Sequence, residues 1–406
     1  MASFSFRAGN AAKLLRIPLY VLGRVATWVI PRTRDLWVFG SAAGLADGAW
    51  ALWQHATAHG ERAIWLVSDA AQRDAAASQG VHAITRSSLS GFWYTARARV
   101  VVVTHGFGDV NRYATTGAFI VQLWHGIPLK RIGLDSPATV QAPSRFLRTI
   151  VRGFYRATQR RIGLIPAASH PVRGRLESAF ALPDERVPVT GEPRVDVLSA
   201  GDDHSRRETA RARIDALVGD TGDRPLVLYA PTWRDGAPDP AVPDPAAWQL
   251  IDGALEAADA VLLIRSHPLG AGDYGGGGGR VRMLGSDLVS DVTPLLPGVD
   301  VLVTDYSSLL FDVTLVPVPT VYFAPDASSY AVERGFYGRY DDLTLGAHAR
   351  SWTEAMAQVS AVLLDEGERA RRLDRARQID RAVHAHRDGR NTERVYRAIT
   401  EKVRRR

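Results

Sequence analysis

Four apolar runs in this sequence end in residues that can handle a proton or a phosphate. Val121-Gln-Leu-Trp-His125 runs into Gly126-Ile127-Pro128-Leu129-Lys130, and Leu262-Leu-Ile-Arg265 runs into Ser266-His267-Pro268. Leu228-Tyr-Ala leads to Pro231-Thr232-Trp233-Arg234, and Val301-Leu-Val leads to Thr304-Asp305-Tyr306-Ser307-Ser308 with Asp312 beyond. A neutral imidazole at a strand end can accept a hydroxyl proton near pH 7. His267 can donate to a phosphoryl oxygen or a leaving group, while Arg265 and Arg234 present planar forks that suit phosphate. Hydroxyls and backbone N–H groups at a helix start make an anion site. Each motif alone also fits a plainer role: a loop-bonding His, a surface Arg, a Ser that caps a helix. Two strand-end His motifs in different halves of the chain are what two walls of one cleft would supply.

The elements that must hold these residues are short β-branched or aromatic runs with helical stretches between them. They are Leu36–Gly40, Ala63–Val67, Val100–Thr104, Phe119–Leu123, Val187–Thr190, Leu226–Ala230, Ala260–Arg265, Val301–Thr304 and Thr320–Phe323. Alternation of this kind predicts βα units, and runs that are apolar at successive positions predict parallel strands covered on both faces. Ligands of open parallel sheets bind outside the carboxyl ends of the strands, where the four motifs fall. A chain of 406 residues exceeds one ordinary core, so two doubly wound domains are expected. The boundary falls near 195, giving 35–195 and 196–380 as domains, with a helical tail over 381–406. The Gly275–Gly279 run reads as a mobile surface connection.

Composition narrows the chemistry. The chain has no Cys, which excludes disulfides, thiolate catalysis and Cys-based zinc sites. Net charge is +7, which suits an acidic partner such as a nucleotide, a phosphate polymer or anionic lipid. Only Lys13, Lys130 and Lys402 interrupt the preference for Arg, so a Lys inside a motif stands out. Residues 1–34 hold six cations and no acid. Their apolar stretch, Ile17 to Ile30, is shorter than the roughly 20 residues a spanning helix needs. The segment is read as a basic amphipathic anchor on the cytoplasmic face of the membrane; the alternative is a helix packed on the protein itself.

Taken together and in order, the motifs resemble a known family. Trp124-His125-Gly126-x-Pro128-Leu129-Lys130, Gly191-x-Pro193-Arg194-x-Asp196, Ala230-Pro231-Thr232-Trp233-Arg234, Arg265-x-His267-Pro268 and Thr304-Asp305-Tyr306-Ser307-Ser308-x-x-Phe311-Asp312 are similar to the motif series of the CDP-glycerol glycerophosphotransferases. Arg334-Gly335-Phe336-Tyr337 and Asp388-Gly389 before Glu393-Arg394 continue the series, so the likeness spans roughly 35 to 397. The resemblance implies a GT-B-like fold, with two Rossmann-type domains facing a central cleft and the second holding the donor nucleotide. It implies His125 as catalytic base. It carries donor contacts onto His125, Gly126, Ile127, Pro128 and Leu129, onto Arg194, Pro231 and Thr232, and onto Arg265, Ser266, His267, Ser307, Ser308 and Asp312. Lys130, Arg234, Thr304 and Asp305 complete the candidate site.

The reaction expected is attack by a polyol hydroxyl on the β-phosphorus of CDP-glycerol with release of CMP, in teichoic-acid-like polymer synthesis. The acceptor would be a polyol phosphate or a lipid-linked group, and no nucleic acid partner is expected. No Asp-x-Asp pair occurs, so no obligatory metal or other cofactor is expected, although scattered carboxylates leave Mg²⁺ open. CDP-ribitol or a nucleotide sugar would need a similar pyrophosphate site and stays an alternative donor. The alternative of another class is an inactive scaffold that binds anionic polymer or membrane.

Overall fold

The computed structural model describes residues 17–140, 144–234, 238–266 and 272–405. The uniformly apolar runs form strands buried on both faces, in two wholly parallel sheets whose strands at Arg62–Val67, Ala83–Thr85 and Val281–Met283 are partly exposed. The first holds β1 (Leu36–Gly40), β2 (Arg62–Val67), β3 (Ala83–Thr85), β4 (Val100–Val103), β5 (Phe119–Gln122) and β6 (Ile162–Leu164), in the order β3-β2-β1-β4-β5-β6. The second holds β7 (Leu226–Ala230), β8 (Val261–Ile264), β9 (Val281–Met283), β10 (Val301–Thr304) and β11 (Thr320–Tyr322), in the order β11-β10-β7-β8-β9. Strand order reverses between β1 and β4 in one sheet and between β7 and β10 in the other. At such reversals the loops diverge and leave a crevice for ligand. The loops after β4, β7 and β10 therefore matter most.

The chain divides into two compact units. One comprises residues up to Gly126, Ile132–Asp196 and His384–Arg406; the other comprises Ile127–Arg131 and Val197–Val383. The end of the chain, which the sequence presents as a helical tail, is an integral part of the first unit. Val395, Ile399 and Val403 of the helix Asn391–Arg404 are buried in one core with Trp37, Phe39 and Trp65. Three apolar side chains at helical spacing need such a partner.

Some expectations about elements are corrected. Val187–Thr190 is not a sheet strand: Val189 makes an isolated bridge with Ala167, and Pro188 brings no N–H to a ladder. The five-glycine run lies at the surface, as expected, but two of its glycines are in tight contact with neighbouring side chains. A Cβ on Gly276 would lie 2.4 Å from the Trp248 indole nitrogen, and one on Gly277 would lie 2.6 Å from the Val281 side chain. Glycine is needed there for close approach.

Candidate active site

In the first unit the site is built on the end of β5. Trp124 follows in the left-handed region at φ 65°, a conformation that costs a bulky residue about 1–3 kcal/mol and persists only when its surroundings enforce it. The surroundings do so. Trp124 is buried, packs edge-on to Phe180 at 5.2 Å and lies 4.3 Å from the His125 ring. Gly126, at φ 123°, completes the turn. His125 is thereby aimed off the carboxyl edge of the sheet, half-buried, with the ring of His105 stacked on it at 4.9 Å.

Arg194 belongs to the same unit, where its Nε donates to Asp47 at 2.8 Å. The motif that carries Arg194 has a structural role as well. Asp196 accepts from the N–H groups of Asn391 and Thr392 at 2.8 and 2.7 Å, and from the Thr392 hydroxyl at 2.7 Å. A carboxylate at this helix start complements the dipole and satisfies donors the helix cannot. Gly191 lies so near Asn391 that a Cβ would collide with its side chain.

In the second unit Ile127–Lys130 runs beside Arg334-Gly-Phe-Tyr337. Lys130 bridges antiparallel to Phe336, Tyr337 N–H donates to Leu129 at 2.9 Å, and Arg131 N–H donates to Gly335 at 3.0 Å. Two motifs about 200 residues apart are thus one short ladder. Lys130, half-buried, is pushed down to about 8; burial lowers it, Asp305 opposes this, and the cations of Arg334 and Arg234 add to it.

Around the β7 and β10 ends the geometry departs from the expectation for the arginines. Arg234 is spent on internal partners: Asp305 at 2.9 Å, and Asp326 at 2.7 and 2.8 Å through Nε and Nη2. Its guanidinium also lies 5.0 Å from the Tyr306 ring and 4.9 Å from the Tyr330 ring. Burial alone would lower it, but Asp326 and Asp305 outweigh that and hold it above the ordinary arginine range. Asp305 accepts in addition from Thr232 N–H at 2.9 Å, which joins the two strand ends. Arg234 and Asp305 form the brace of the site. Arg265 likewise donates to the carbonyls of Leu284, Val289 and Ser290 at 3.3, 2.9 and 3.1 Å.

Other candidates are positioned differently. Thr304 Oγ1 donates to Ala230 at 2.6 Å. Thr232 is 7 % exposed, and its hydroxyl is buried without a hydrogen-bond partner among the described residues. Ser307 and Ser308 are half-buried and lead into a helix of one turn, Leu309–Asp312, as the expected helix start. Ser307 Oγ accepts from Leu309 N–H at 3.3 Å, and Asp312 is fully buried. Pro231 is buried and Ser266 half-buried, and His267 lies outside the described residues.

The sequence pattern of the CDP-Glycerol:Poly(glycerophosphate) glycerophosphotransferase family matches residues 24–401. The chain belongs to this family. It is 29% identical over 304 residues to a teichoic acid glycerol-phosphate transferase of Staphylococcus aureus (strain NCTC 8325 / PS 47), covering 73% of this chain and 75% of that protein. The solved wall teichoic acid polymerase TagF has the same fold, with a TM-score of 0.76 at 20% identity over 99% of both chains. The H444N variant of TagF soaked with CDPG gives a TM-score of 0.73 at 20% identity, again over 99% of each. Within this family the motifs of the chain separate into two groups. The Gly191–Asp196 series and the Arg234–Asp305 brace hold the architecture, while His125, Thr232, Ser307 and Ser308 remain at strand ends and Lys130 lies in the bridge to Phe336.

Sequence reasoning missed two features. His105 and Asp109 follow β4 as His125 follows β5, and Val100-Val-Val-Val-Thr-His105 carries the same signal of an apolar run ending in His. The helix Arg145–Gln159 buries no residue and leaves Phe146 and Phe154 75% and 71% exposed. Its alternation of Arg with aromatic and aliphatic positions was the available signal.

Proposed function

We propose that this protein transfers glycerol phosphate from CDP-glycerol to a hydroxyl of a polyol-phosphate or lipid-linked acceptor and releases CMP, in the synthesis of a teichoic-acid-like polymer. The observation that carries the reading is His125, held by a left-handed Trp124 at the end of β5 in a chain that matches the family along nearly its whole length. The acceptor oxygen attacks the β-phosphorus, its bond to phosphorus forms as the bridging P–O bond to CMP breaks, and His125 takes the hydroxyl proton. Lys130, the Thr232 hydroxyl and the Ser307–Ser308 turn hold the donor phosphates; Arg194, Ser266 and His267 complete the donor contacts. Positioning and charge stabilisation supply most of the rate. The test is CMP release with CDP-glycerol and a glycerol-phosphate acceptor, followed by mass analysis of the product. Release with CDP-ribitol alone would replace the donor, and release with neither would remove the activity.

Lys130 gives this reading a pH signature. With its value near 8, the free enzyme loses that cation as pH rises through 8, not near the ordinary 10.5. Calorimetry between pH 7 and 9.5 is expected to show CDP-glycerol affinity falling above pH 8, by up to about tenfold per pH unit, because binding then requires uptake of one proton. Lys130→Arg should flatten the profile. A parent affinity that does not change with pH would take Lys130 out of the donor site.

The membrane reading moves from residues 1–34 to a pair of helices. Residues 1–16 lie outside the described residues, and of residues 18–29 in the helix Ile17–Val29 only Gly23 and Thr27 are buried, with Leu22, Trp28 and Val29 exposed. Among the described residues no helix is long and apolar enough to cross a membrane. From Arg145 to Arg161 there are six arginines and no acid, and Phe146, Ile150 and Phe154 recur at four-residue spacing. Arg161 lies near Arg24; burial and that neighbouring cation hold its guanidinium below the ordinary range. We infer that both helices rest on anionic lipid, apolar side chains in the headgroup boundary and each exposed arginine adding about 1 kcal/mol. In flotation with phosphatidylglycerol vesicles, Phe146→Ser with Phe154→Ser is expected to lower binding at least about tenfold, and salt should weaken what remains. Turnover on a soluble acceptor should be retained. Undiminished binding by the double variant would overturn the assignment.

A further inference from the structure

We propose that His105 is the residue that positions His125, its ring forming the surface against which the base is held; this rests on the reading of His125 as the base. β4 stands at the reversal of strand order in the first sheet, so the loop it leads into borders the ligand crevice. β4 and β5 pair with Val103 opposite Gln122, so the residues just past both ends continue side by side.

Three features fix His105 there. The Oδ2 of Asp109, only 3% exposed, accepts from the N–H groups of Thr104, His105 and Gly106 at 2.9, 2.6 and 3.3 Å. Gly106 turns the chain at φ 137°, outside the range a side chain readily adopts. Gln122 Nε2, from the last residue of β5, donates to Thr104 O at 2.7 Å and ties the two strand ends together. The left-handed turn at Trp124 then lays His125 over His105, ring centroids 4.9 Å apart and planes 14° from parallel.

That angle decides what the contact does. The N–H and lone pair of an imidazole lie in the ring plane, so nearly parallel rings cannot pass a proton to each other. The proton taken from the acceptor ends on His125, and His105 contributes orientation only. Orientation has a large effect on rate, since a misplacement of about 1 Å can cost on the order of 10²-fold.

The experiment compares His105→Ala, His105→Phe and His125→Ala in the full chain by CMP release, with melting temperature measured alongside. His105→Ala is expected to lower kcat by about 10–100-fold and leave KM for CDP-glycerol within about twofold, the pattern of a lost transition-state alignment. His105→Phe, whose flat ring refills the surface, should restore kcat to within about threefold of the parent. A purely structural role would lower the melting temperature and the folded fraction without this split. Parent-like kcat in His105→Ala, a Phe variant as slow as the Ala variant, or KM rising in step with the loss would each overturn the proposal. An inactive His125→Ala beside an unimpaired His105→Ala removes the positioning role alone. An active His125→Ala removes the base and the positioning role together.

Discussion

Turnover of the His125→Ala variant is expected to fall by about 10²–10⁴-fold in a protein that remains folded, the loss that follows removal of a positioned general base. The expectation rests on where the ring is held. A left-handed Trp124 aims it off the sheet edge, and the Trp124 and His105 rings lie 4.3 and 4.9 Å from it. Such a turn is retained against its conformational cost, of the order of a few kcal/mol at most, when the residue it delivers has a function. The fold does not depend on the imidazole, because the core of the first unit lies among Trp37, Phe39, Trp65 and the strands beside them. Single-turnover CMP release and thermal melting are the measurements. A variant with near-parent turnover would dismiss His125 from the chemistry, whatever its position.

The second large effect concerns stability. Arg234→Ala is expected to destabilise the second unit by about 3–5 kcal/mol, because it leaves Asp305 buried without its cation. The side chains of Arg234 and Asp305 are 8% and 4% exposed, so solvent cannot replace the missing partner. At roughly 2–4 °C per kcal/mol for a domain of this size, the loss should lower its melting temperature by about 10 °C. Arg234→Met with Asp305→Asn should recover part of that loss, since replacing both members of a buried pair is far less costly than removing one. The neighbouring Arg234–Asp326 pair should be acid-sensitive. Burial raises Asp326, but its bonds to Arg234 outweigh this and hold it below the ordinary carboxylate range. Its contribution is therefore complete above the unfolded value and lost as pH falls through the lower folded one. Equal melting temperatures for Arg234→Ala and the parent would show that the ion pairs contribute nothing net.

What could be read from the sequence follows from how much each residue's role depends on its neighbours. β1, β7 and β10 were legible to the residue, because a strand buried on both faces needs an unbroken apolar run wherever it packs. β3, β6 and β9 were not: each has three residues at a sheet edge, too short for any period to declare itself. The equally short β11 was found because it lies in the β-branched and aromatic run Thr320–Phe323, buried throughout. The strand-end position of His125 was legible for the same reason as the strand. The role of Arg234 was not, since a guanidinium bonds phosphate and carboxylate alike and only the fold brings Asp326 to it from 92 residues away. The surface position of Gly275–Gly279 was legible, but the close contacts of Gly276 and Gly277 were not, because glycine marks freedom and tight approach equally well.

The place of the helix Asn391–Arg404 bears on how the protein is made. Its Val395, Ile399 and Val403 belong to the core of the unit whose strands are translated first. A ribosome adding about 5–20 residues per second reaches this helix roughly 10–40 s after it passes Asp196. During that interval the nascent first unit keeps an uncovered apolar strip beside Trp37 and Trp65, while the second unit can already complete its own core. Synthesis therefore finishes the later unit before the earlier one, and the strip is where a chaperone would be expected to hold the growing chain.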